Sequence, residues 1–568
     1  MNDKMNINTL FSFESFICPI CQDPLLDPVV ADDGFMYNKN CFLKYCSHYK
    51  HPLSSPMTKE PISDKYTNVF QFRSHVLTFI ENSNIFDEWI SDLNFDQIID
   101  YRLSDCLVKS TKINLLSNQC KSDLVKHLVK EYFKNNKFAE GIGMLEQYKV
   151  YLALDYTQYF ISACENNLTD VALKLLDCYP TVEYNFINNS GTNGLIAACK
   201  NKMSEVVLKL LTKPNLNISL IDCDGNNIFL LACINKMTEV VLKLLDCYPT
   251  VDYNFVNVQS GDCGLIVACK NKMSEVVLKL LTKPNLNMLL TDCDGNDPFL
   301  LACINKMTDV GIKIIESPHH VNYNTINSKG VTGLIVCCEN RLSALALKLL
   351  EKNFIHHNHV CNAGHSALSW ACSNVLSEVA TALLKKPYIE YNFIDNGEIV
   401  LRFACINNLE TVVDEFLKKP NLKYNYVSKT DGVTPLIAAC NGGNTYIALK
   451  LLNIPDIDIN NVSNKGNTAL KCACRQGIVS VVKKLLRMPN INYNYVNESN
   501  GRTALICACE NKYEAVALEL LEQPGINYDI ADKGKNTALS FAKSNNLGKV
   551  ITAINNLKMS EKYFKGIL

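Results

Sequence analysis

Hydrophobic and polar positions recur with one long period over the C-terminal three quarters of the chain. Each unit begins with a short apolar run that ends in a cysteine, as in GVTPLIAAC ending at Cys440 and GRTALICAC ending at Cys509. A polar turn that usually contains Asn follows, and then an apolar V-x-x-x-L-L pattern. The Cys recurs every 33 to 36 residues, at positions 164, 199, 233, 269, 303, 338, 372, 405, 440, 474 and 509. A period of this length predicts a stack of similar supersecondary units.

The pattern inside one unit predicts two short helices and an extended connection. Val206, Leu210 and Leu211 fall on one stripe of a helix. A proline commonly follows the second apolar stretch and stops the helix there. An extended stretch, often Tyr-Asn, and a Gly-containing turn then lead to the next unit. The unit is therefore helix, turn, helix and extended finger.

This order, together with G-x-T-x-L and the period near 34, resembles the ankyrin repeat, and Thr434, Pro435 and Leu436 match its signature best. Eleven units carry the Cys, and a twelfth has Lys543 in its place. The resemblance predicts a mostly α fold, an α-solenoid of about 12 ankyrin repeats at 155–557, with a tail at 558–568. The chain departs from the signature in three ways. Another residue stands where the family has His, Cys replaces the second Ala, and several fingers carry extra residues.

The 26 cysteines admit two interpretations. Metal binding or redox sensing is one. Because one repeat Cys occurs per unit, at a position where helices pack, we instead expect small buried thiols that behave as hydrophobic residues.

Residues 16–80 lack the 34-residue unit and resemble the U-box, the metal-free relative of the RING finger. Four blocks carry the resemblance and are listed here: Cys18-Pro19-Ile20; Asp27-Pro28-Val29-Val30; Asp33-Gly34 with Tyr37; and Ser55-Pro56-Met57-Thr58 with Glu60-Pro61. The resemblance implies a small α+β U-box domain at 14–82 after a flexible N-terminus at 1–13. It also implies a central helix from about Asn38 to Cys46.

The U-box resemblance implies a shallow groove that binds a ubiquitin-conjugating enzyme. By position, its residues are Ile20 and Gln22 in a first loop, Tyr45 on the helix, and Pro56 and Lys59 in a second loop. Ligases of this type have no covalent nucleophile and act by orienting the ubiquitin thioester. The chain departs from the family in three places: Tyr45 stands where many members have Trp or His, Lys59 offers no bidentate fork, and Asn68 lies one residue early relative to Arg73.

A metal site is the rival interpretation of the N-terminal segment. Its candidate ligands are Cys18, Cys21, Cys41, Cys46, His48 and His51, enough for one tetrahedral zinc. A RING finger needs eight ligands, and no Cys occurs between His51 and Cys106. We therefore expect no metal and no other cofactor.

Residues 83–154 show helical apolar spacing, and we expect a helical connector or N-terminal cap there; a dimerisation or partner helix is the alternative.

The composition agrees with a folded protein: 48% hydrophobic and 20% charged residues are typical of a folded soluble chain. The formal net charge of -1 favours neither nucleic acid nor an anionic membrane. With no export signal or long apolar run, we expect a cytoplasmic protein, with the nucleus as an alternative.

The sequence predicts a U-box ubiquitin ligase. Its partners would be a conjugating enzyme carrying ubiquitin and a substrate protein on the concave face of the array. The alternative is a non-catalytic ankyrin scaffold or decoy with an inert U-box. The Asn-, Lys- and Ile-rich repeats also resemble ankyrin proteins of giant DNA viruses of amoebae or of AT-rich protists, and a viral source would place the protein in the host cytoplasm.

Overall fold

The fold is taken from a computed structural model of the whole chain, which divides into two compact units, Met1–Val206 and Val207–Leu568. The residues that it describes are 17–20, 22, 24–26, 28–31, 35–48, 54–59, 66–68, 76–77, 81, 90–91, 93, 96, 98, 107, 112–135, 137, 140–141, 143–144, 147, 156–178, 182–189 and 191–565.

The first unit opens with a small antiparallel sheet and one helix. The strands are β1 (Pro28–Ala31), β2 (Met36–Asn38) and β3 (Tyr66–Asn68), in the order β2-β1-β3, with Val29 opposite both Tyr37 and Asn68. Helix α1 (Lys39–His48) follows β2 directly and agrees with the helix expected from Asn38 to Cys46. The fully buried rings of Tyr37 and Phe42 stack with their centroids 5.5 Å apart, so the sheet and the helix share one core.

A 3-10 turn (Lys112–Leu115) and helix α2 (Asn118–Lys134) lie within the predicted connector, and helix pairs follow. Twelve pairs run through the described residues from Tyr156 to Lys565. They are Tyr156–Glu165 with Thr169–Cys178; Gly194–Lys200 with Ser204–Leu210; Ile228–Ile234 with Thr238–Cys247; Gly264–Lys270 with Ser274–Leu280; Pro298–Ile304 with Thr308–Glu316; Gly333–Glu339 with Ser343–Leu350; Ala367–Ser373 with Ser377–Leu384; Val400–Ile406 with Glu410–Leu417; Pro435–Asn441 with Thr445–Leu451; Ala469–Gln476 with Val479–Leu486; Ala504–Glu510 with Glu514–Leu521; and Ala538–Ser544 with Gly548–Lys565. The last helix extends into the segment 558–568 that was predicted as a tail. Of the helices described, none has the length and apolar character needed to span a membrane.

The recurring sequence motif has a local structural cause at the start of nine of the described first helices, where a side chain caps the helix. In the G-x-T motif the Thr is the N-cap, and Thr434 Oγ1 accepts a hydrogen bond from Ile437 N at 3.3 Å. The Gly two residues earlier turns the finger in the left-handed region, with φ of 70° at Gly432. Pair 8 is different: the two-residue strands β4 (Ile394–Asp395) and β5 (Glu398–Ile399) form its finger, and Ile399 gives no side-chain cap.

The pairs of the second unit stack in two rows. Each first helix contacts the first helix of the next pair, and the second helices do the same. The repeat cysteines lie between the packed helices, and all eleven are buried, as expected from their spacing. The cysteines in the described part of the chain are free thiols.

Two sets of asparagine side chains join neighbouring repeats. In the first set, the Asn of the polar turn donates to the carbonyl of the preceding repeat's Cys; Asn305 Nδ2, for example, lies 3.1 Å from Cys269 O. In the second set, an Asn of the finger, which usually follows Tyr, makes two bonds, and we call this arrangement the asparagine clamp. Asn392 Nδ2 donates to Asn421 O at 3.0 Å, and Asn392 Oδ1 accepts from Lys423 N at 2.9 Å. The clamp recurs at Asn254, Asn324, Asn358, Asn392, Asn425, Asn460 and Asn494.

Size matching between consecutive first helices completes the packing. Phe160, Phe229 and Phe299 each lie four residues before the Cys of their repeat, and the first helix of the next repeat then begins with glycine, at Gly194, Gly264 and Gly333. A Cβ on any of these glycines would lie 2.1 to 2.5 Å from a Phe ring carbon. Where Leu holds the position four residues before the Cys, as at Leu470, the next first helix starts with a larger residue, here Ala504.

Burial of the thiols predicts that the array loses stability in alkali. Burial raises the pKa of Cys509 from its ordinary value of 9.0 to about 12. Between those values the thiol is ionised in the unfolded chain and protonated in the folded one, so the stabilisation is complete below pH 9 and is lost as the pH rises toward 12. In this range, each such thiol lowers the free energy of unfolding by about 1.4 kcal/mol for every unit by which the pH rises.

We expect the urea midpoint of the array to fall between pH 8.5 and 10.5. In Cys509→Ala the urea midpoint should fall less steeply with pH, because one buried thiol is missing. Cys293→Ala removes an exposed thiol, and its midpoint should fall with pH as steeply as that of the wild type. Equal slopes for the two variants would show that buried thiols do not control the alkaline response.

Candidate functional site

Two turns of the N-terminal domain have the same backbone geometry. In the first, Gln22 N donates to Cys18 O at 2.9 Å; in the second, Lys59 N donates to Ser55 O at 3.2 Å. Gln22 and Lys59 both have a φ of 65°, which is unusual for residues other than glycine. Each turn carries Pro at its second position, so the blocks C-P-I and S-P-M fold alike.

Side-chain hydrogen bonds stabilise both turns. Gln22 Nε2 donates to Pro19 O at 3.2 Å, and Lys59 Nζ donates to Pro56 O at 2.9 Å. Ser55 is fully buried, and its Oγ accepts from Met57 N at 3.0 Å and from Thr58 N at 2.9 Å. A hydroxyl therefore caps the backbone of the second turn.

Helix α1 connects the two turns. At its N-terminal end, Asn38 N donates to the sulfur of buried Cys18 at 3.2 Å. The Asn38 side chain also accepts from Leu26 N at 2.9 Å and donates to Pro24 O at 3.0 Å. Nearer the C-terminal end, the Tyr45 hydroxyl donates to Ser54 O at 3.1 Å. The first loop is thus fastened to one end of α1 and the second loop to the other.

The residues predicted to bind a conjugating enzyme lie at the surface of this assembly. Ile20, Tyr45 and Pro56 are half-buried, whereas Gln22 and Lys59 are exposed. The Tyr45 hydrogen bond brings the helix and the second loop together, and Ile20 belongs to the loop anchored at Asn38.

Met57, which is not among the predicted groove residues, adds an exposed apolar side chain beside Pro56, with 46% of its surface accessible. Its place between Pro56 and Thr58 in the fourth motif block was the available signal.

The competing metal site is only partly covered by the structure. Over the described residues, no group of three or more His, Cys, Asp or Glu side chains is placed to hold an ion. Cys21 and His51 lie outside the described residues, as do the motif positions Asp33, Gly34, Glu60 and Pro61 and the departure at Arg73.

A cleft of about 670 Å³ lies between pairs 4 and 7 and is lined by residues of their fingers and first helices; we call it the fingertip cleft. Leu301, Ile304 and Trp370 contribute apolar lining, and exposed Asp294 and Glu339 contribute carboxylates. His365 packs on Trp370 with ring centroids 4.8 Å apart, and His365 Nδ1 lies 2.9 Å from the carboxylate of Asp395. This surface combines an aromatic side chain, aliphatic side chains, carboxylates and two lysines, Lys270 and Lys329.

A charged cluster lies on the neighbouring fingers. Arg402 lies between Glu398 and Asp431, with nitrogen-oxygen distances of 2.6 Å to each carboxylate. Ser428 Oγ donates to buried Glu398 at 2.6 Å. Because Glu398 belongs to the atypical finger of pair 8, and Ser428 and Asp431 to the next finger, these bonds join the two fingers.

Comparison with known proteins identifies the repeats. Residues 160–257 and 395–497 match the family model described as ankyrin repeats in three copies, and residues 500–533 match the model of the single ankyrin repeat. A U-box model is not among these matches. Over 75 residues the chain is 35% identical to a protein of Acanthamoeba polyphaga mimivirus named "Probable bifunctional E2/E3 enzyme". That similarity covers 13% of this chain and 6% of the viral protein.

Proposed function

We propose that this protein is a U-box ubiquitin ligase whose segment 14–82 recruits a ubiquitin-conjugating enzyme and whose ankyrin array, at 155–557, binds the substrate protein. The observation that carries the proposal is the pair of matched turns held at the two ends of α1. Similarity to a viral protein named as an E2/E3 enzyme supports it. Ankyrin repeats support a protein-binding role for the rest of the chain.

The proposed mechanism is positioning. Ile20, Tyr45 and Pro56 supply the apolar contact for the conjugating enzyme, and the tyrosine hydroxyl remains bonded within the domain. Exposed Gln22 and Lys59 border this contact. The domain holds the charged conjugating enzyme while a lysine of the bound substrate attacks its thioester, so no residue of this chain forms a covalent intermediate.

A reconstituted reaction tests the proposal. The full chain is incubated with activating enzyme, ATP, ubiquitin and a panel of conjugating enzymes, and ubiquitin chains are followed on denaturing gels. We expect chain synthesis that depends on this protein with at least one conjugating enzyme. Failure across a broad panel, with the protein folded by circular dichroism, would contradict the ligase assignment.

The alternative is a non-catalytic ankyrin scaffold or decoy. It is favoured by the conformation of Lys59, whose ammonium group donates to the carbonyl of Pro56 within its own turn. The same reaction separates the two proposals, because a scaffold binds proteins without ubiquitin transfer.

A further inference from the structure

One backbone position in the array is occupied by an aromatic residue in two consecutive repeats. After the second helix of many pairs, one residue adopts the left-handed conformation. Asparagine or glycine usually occupies it, at Asn215, Asn285, Asn421, Asn490 and Gly525. The corresponding residues after pairs 6 and 7 are Phe354 and Tyr388, with φ of 61° and 57°.

The asparagine clamp bonds to the backbone carbonyl of the residue in this position. Phe354 O accepts from Asn324 Nδ2 at 2.8 Å, and Tyr388 O accepts from Asn358 Nδ2 at 2.7 Å. The left-handed region is unfavourable for a bulky side chain and is tolerated by asparagine and glycine. The two aromatic residues therefore strain the backbone where the other repeats do not.

Neither ring offsets the backbone strain by packing against other residues. Phe354 is 91% exposed and Tyr388 is 96% exposed. Strained residues that stabilise nothing are a signal of function, and exposed aromatic side chains are frequent anchors of protein interfaces.

Both rings line one cleft of about 850 Å³, which we call the aromatic cleft. Its other lining residues include Lys352, Lys386 and three histidines. The structure describes every residue of this stretch, and none of the lining residues is acidic. The segments 351–359 and 385–391, which contribute this lining, carry three lysines against two glutamates, and one of these, Glu351, pairs with Lys348 at 2.9 Å. The cleft is therefore apolar and electropositive.

We propose that the aromatic cleft docks a partner-protein segment in which an aromatic or aliphatic side chain is flanked by Asp or Glu. The apolar side chain packs against Phe354 and Tyr388, and the carboxylates lie in the positive potential of the lysines. Lys352 Nζ lies 5.6 Å from the Tyr323 ring centroid and Lys386 Nζ donates to Leu350 O, so both ammonium groups act on a ligand through their potential and not through close ion pairs. A nucleic acid depends on close contacts with its phosphates and therefore fits less well than an apolar segment with a few carboxylates. This surface is separate in its residues from the fingertip cleft and does not rest on the ligase proposal.

The test replaces both rings with the residue that other repeats use. Phe354→Asn with Tyr388→Asn removes the strain and both rings, so its melting temperature should equal or exceed that of the wild type. Val375→Asn is the matched control. Val375 also has a left-handed φ, of 64°, and is 54% exposed, but it does not line the cleft. This control relieves the same kind of strain and keeps the rings.

The probe is a displayed library of random twelve-residue peptides, selected on the immobilised full chain. We expect enrichment of peptides that combine aromatic or aliphatic residues with Asp and Glu. In fluorescence anisotropy, the best of them should bind the double variant at least tenfold more weakly and Val375→Asn as strongly as the wild type.

Four outcomes would overturn the proposal: enrichment of basic peptides or of none, equal binding by the double variant, a lower melting temperature of that variant, or tighter binding of a twelve-nucleotide oligouridine than of any selected peptide. The last outcome would assign the rings to base stacking.

Discussion

Ile20→Ala in the full chain is expected to reduce ubiquitin chain synthesis by about 30- to 100-fold. The substitution removes about three methylene-sized groups from a contact that the conjugating enzyme would bury, at about 0.8 kcal/mol each. A loss of roughly 2.0 to 2.7 kcal/mol in binding corresponds to that range. Because Ile20 is half-buried in a turn held by backbone and Gln22 hydrogen bonds, the domain should remain folded. Initial rates below saturation by the conjugating enzyme measure the effect.

Leu43→Ala is the matched control for Ile20→Ala. Leu43 is 41% exposed on α1, and it precedes Tyr45 by two residues, which places it about 200° around the helix. Its truncation removes a similar apolar side chain away from the predicted groove and should leave synthesis unchanged. Full activity of both variants would contradict the groove assignment. Loss of activity in both would point to stability of the domain instead.

The sequence motifs of the N-terminal domain predicted its helix but not the relation between its loops. Helix α1 and the separation of the two loops agree with the motif blocks. What the motifs could not show is that Gln22 and Lys59 are equivalent residues in two turns of the same geometry. Glutamine and lysine differ in side-chain chemistry, so the sequence does not reveal that the two positions are equivalent. The left-handed φ at both positions is set by the turn. Their roles toward a conjugating enzyme remain predictions.

For the array, the sequence predicted local structure better than the contacts between repeats. The period and the two helices of each unit were predictable because each depends on residues close in the chain. The burial of the cysteines was predictable from their place where helices pack. The asparagine clamp was not, although the Tyr-Asn motif is conspicuous, because the clamp bonds to backbone atoms about 30 residues away and its partners vary in side chain. The same reason hid the aromatic cleft, since Phe354 and Tyr388 are unusual only in the left-handed position.

The pairing of Phe with Gly predicts a second large effect, on stability. Gly264→Ala should lower the free energy of unfolding by about 2 kcal/mol or more, because the new Cβ would lie 2.2 Å from Cε1 of Phe229, a residue that is only 1% exposed between helices. Without that clash alanine would be favoured over glycine in a helix, by up to about 1 kcal/mol. The sign of the effect therefore depends on the ring one repeat earlier.

A double-mutant cycle isolates this dependence. In a Phe229→Leu background, Gly264→Ala should be neutral or stabilising, since Leu precedes Ala in the natural pair Leu470 and Ala504. The coupling between the two sites should reach about 2 to 3 kcal/mol, within the range seen for residues in contact.

As the reversed control, Ala504→Gly should destabilise by less than about 1 kcal/mol, because it opens space and creates no clash. Urea unfolding followed by circular dichroism measures all five proteins. If Gly264→Ala has the same cost in the wild-type and Phe229→Leu backgrounds, then size matching between neighbouring first helices does not determine which residue starts the helix.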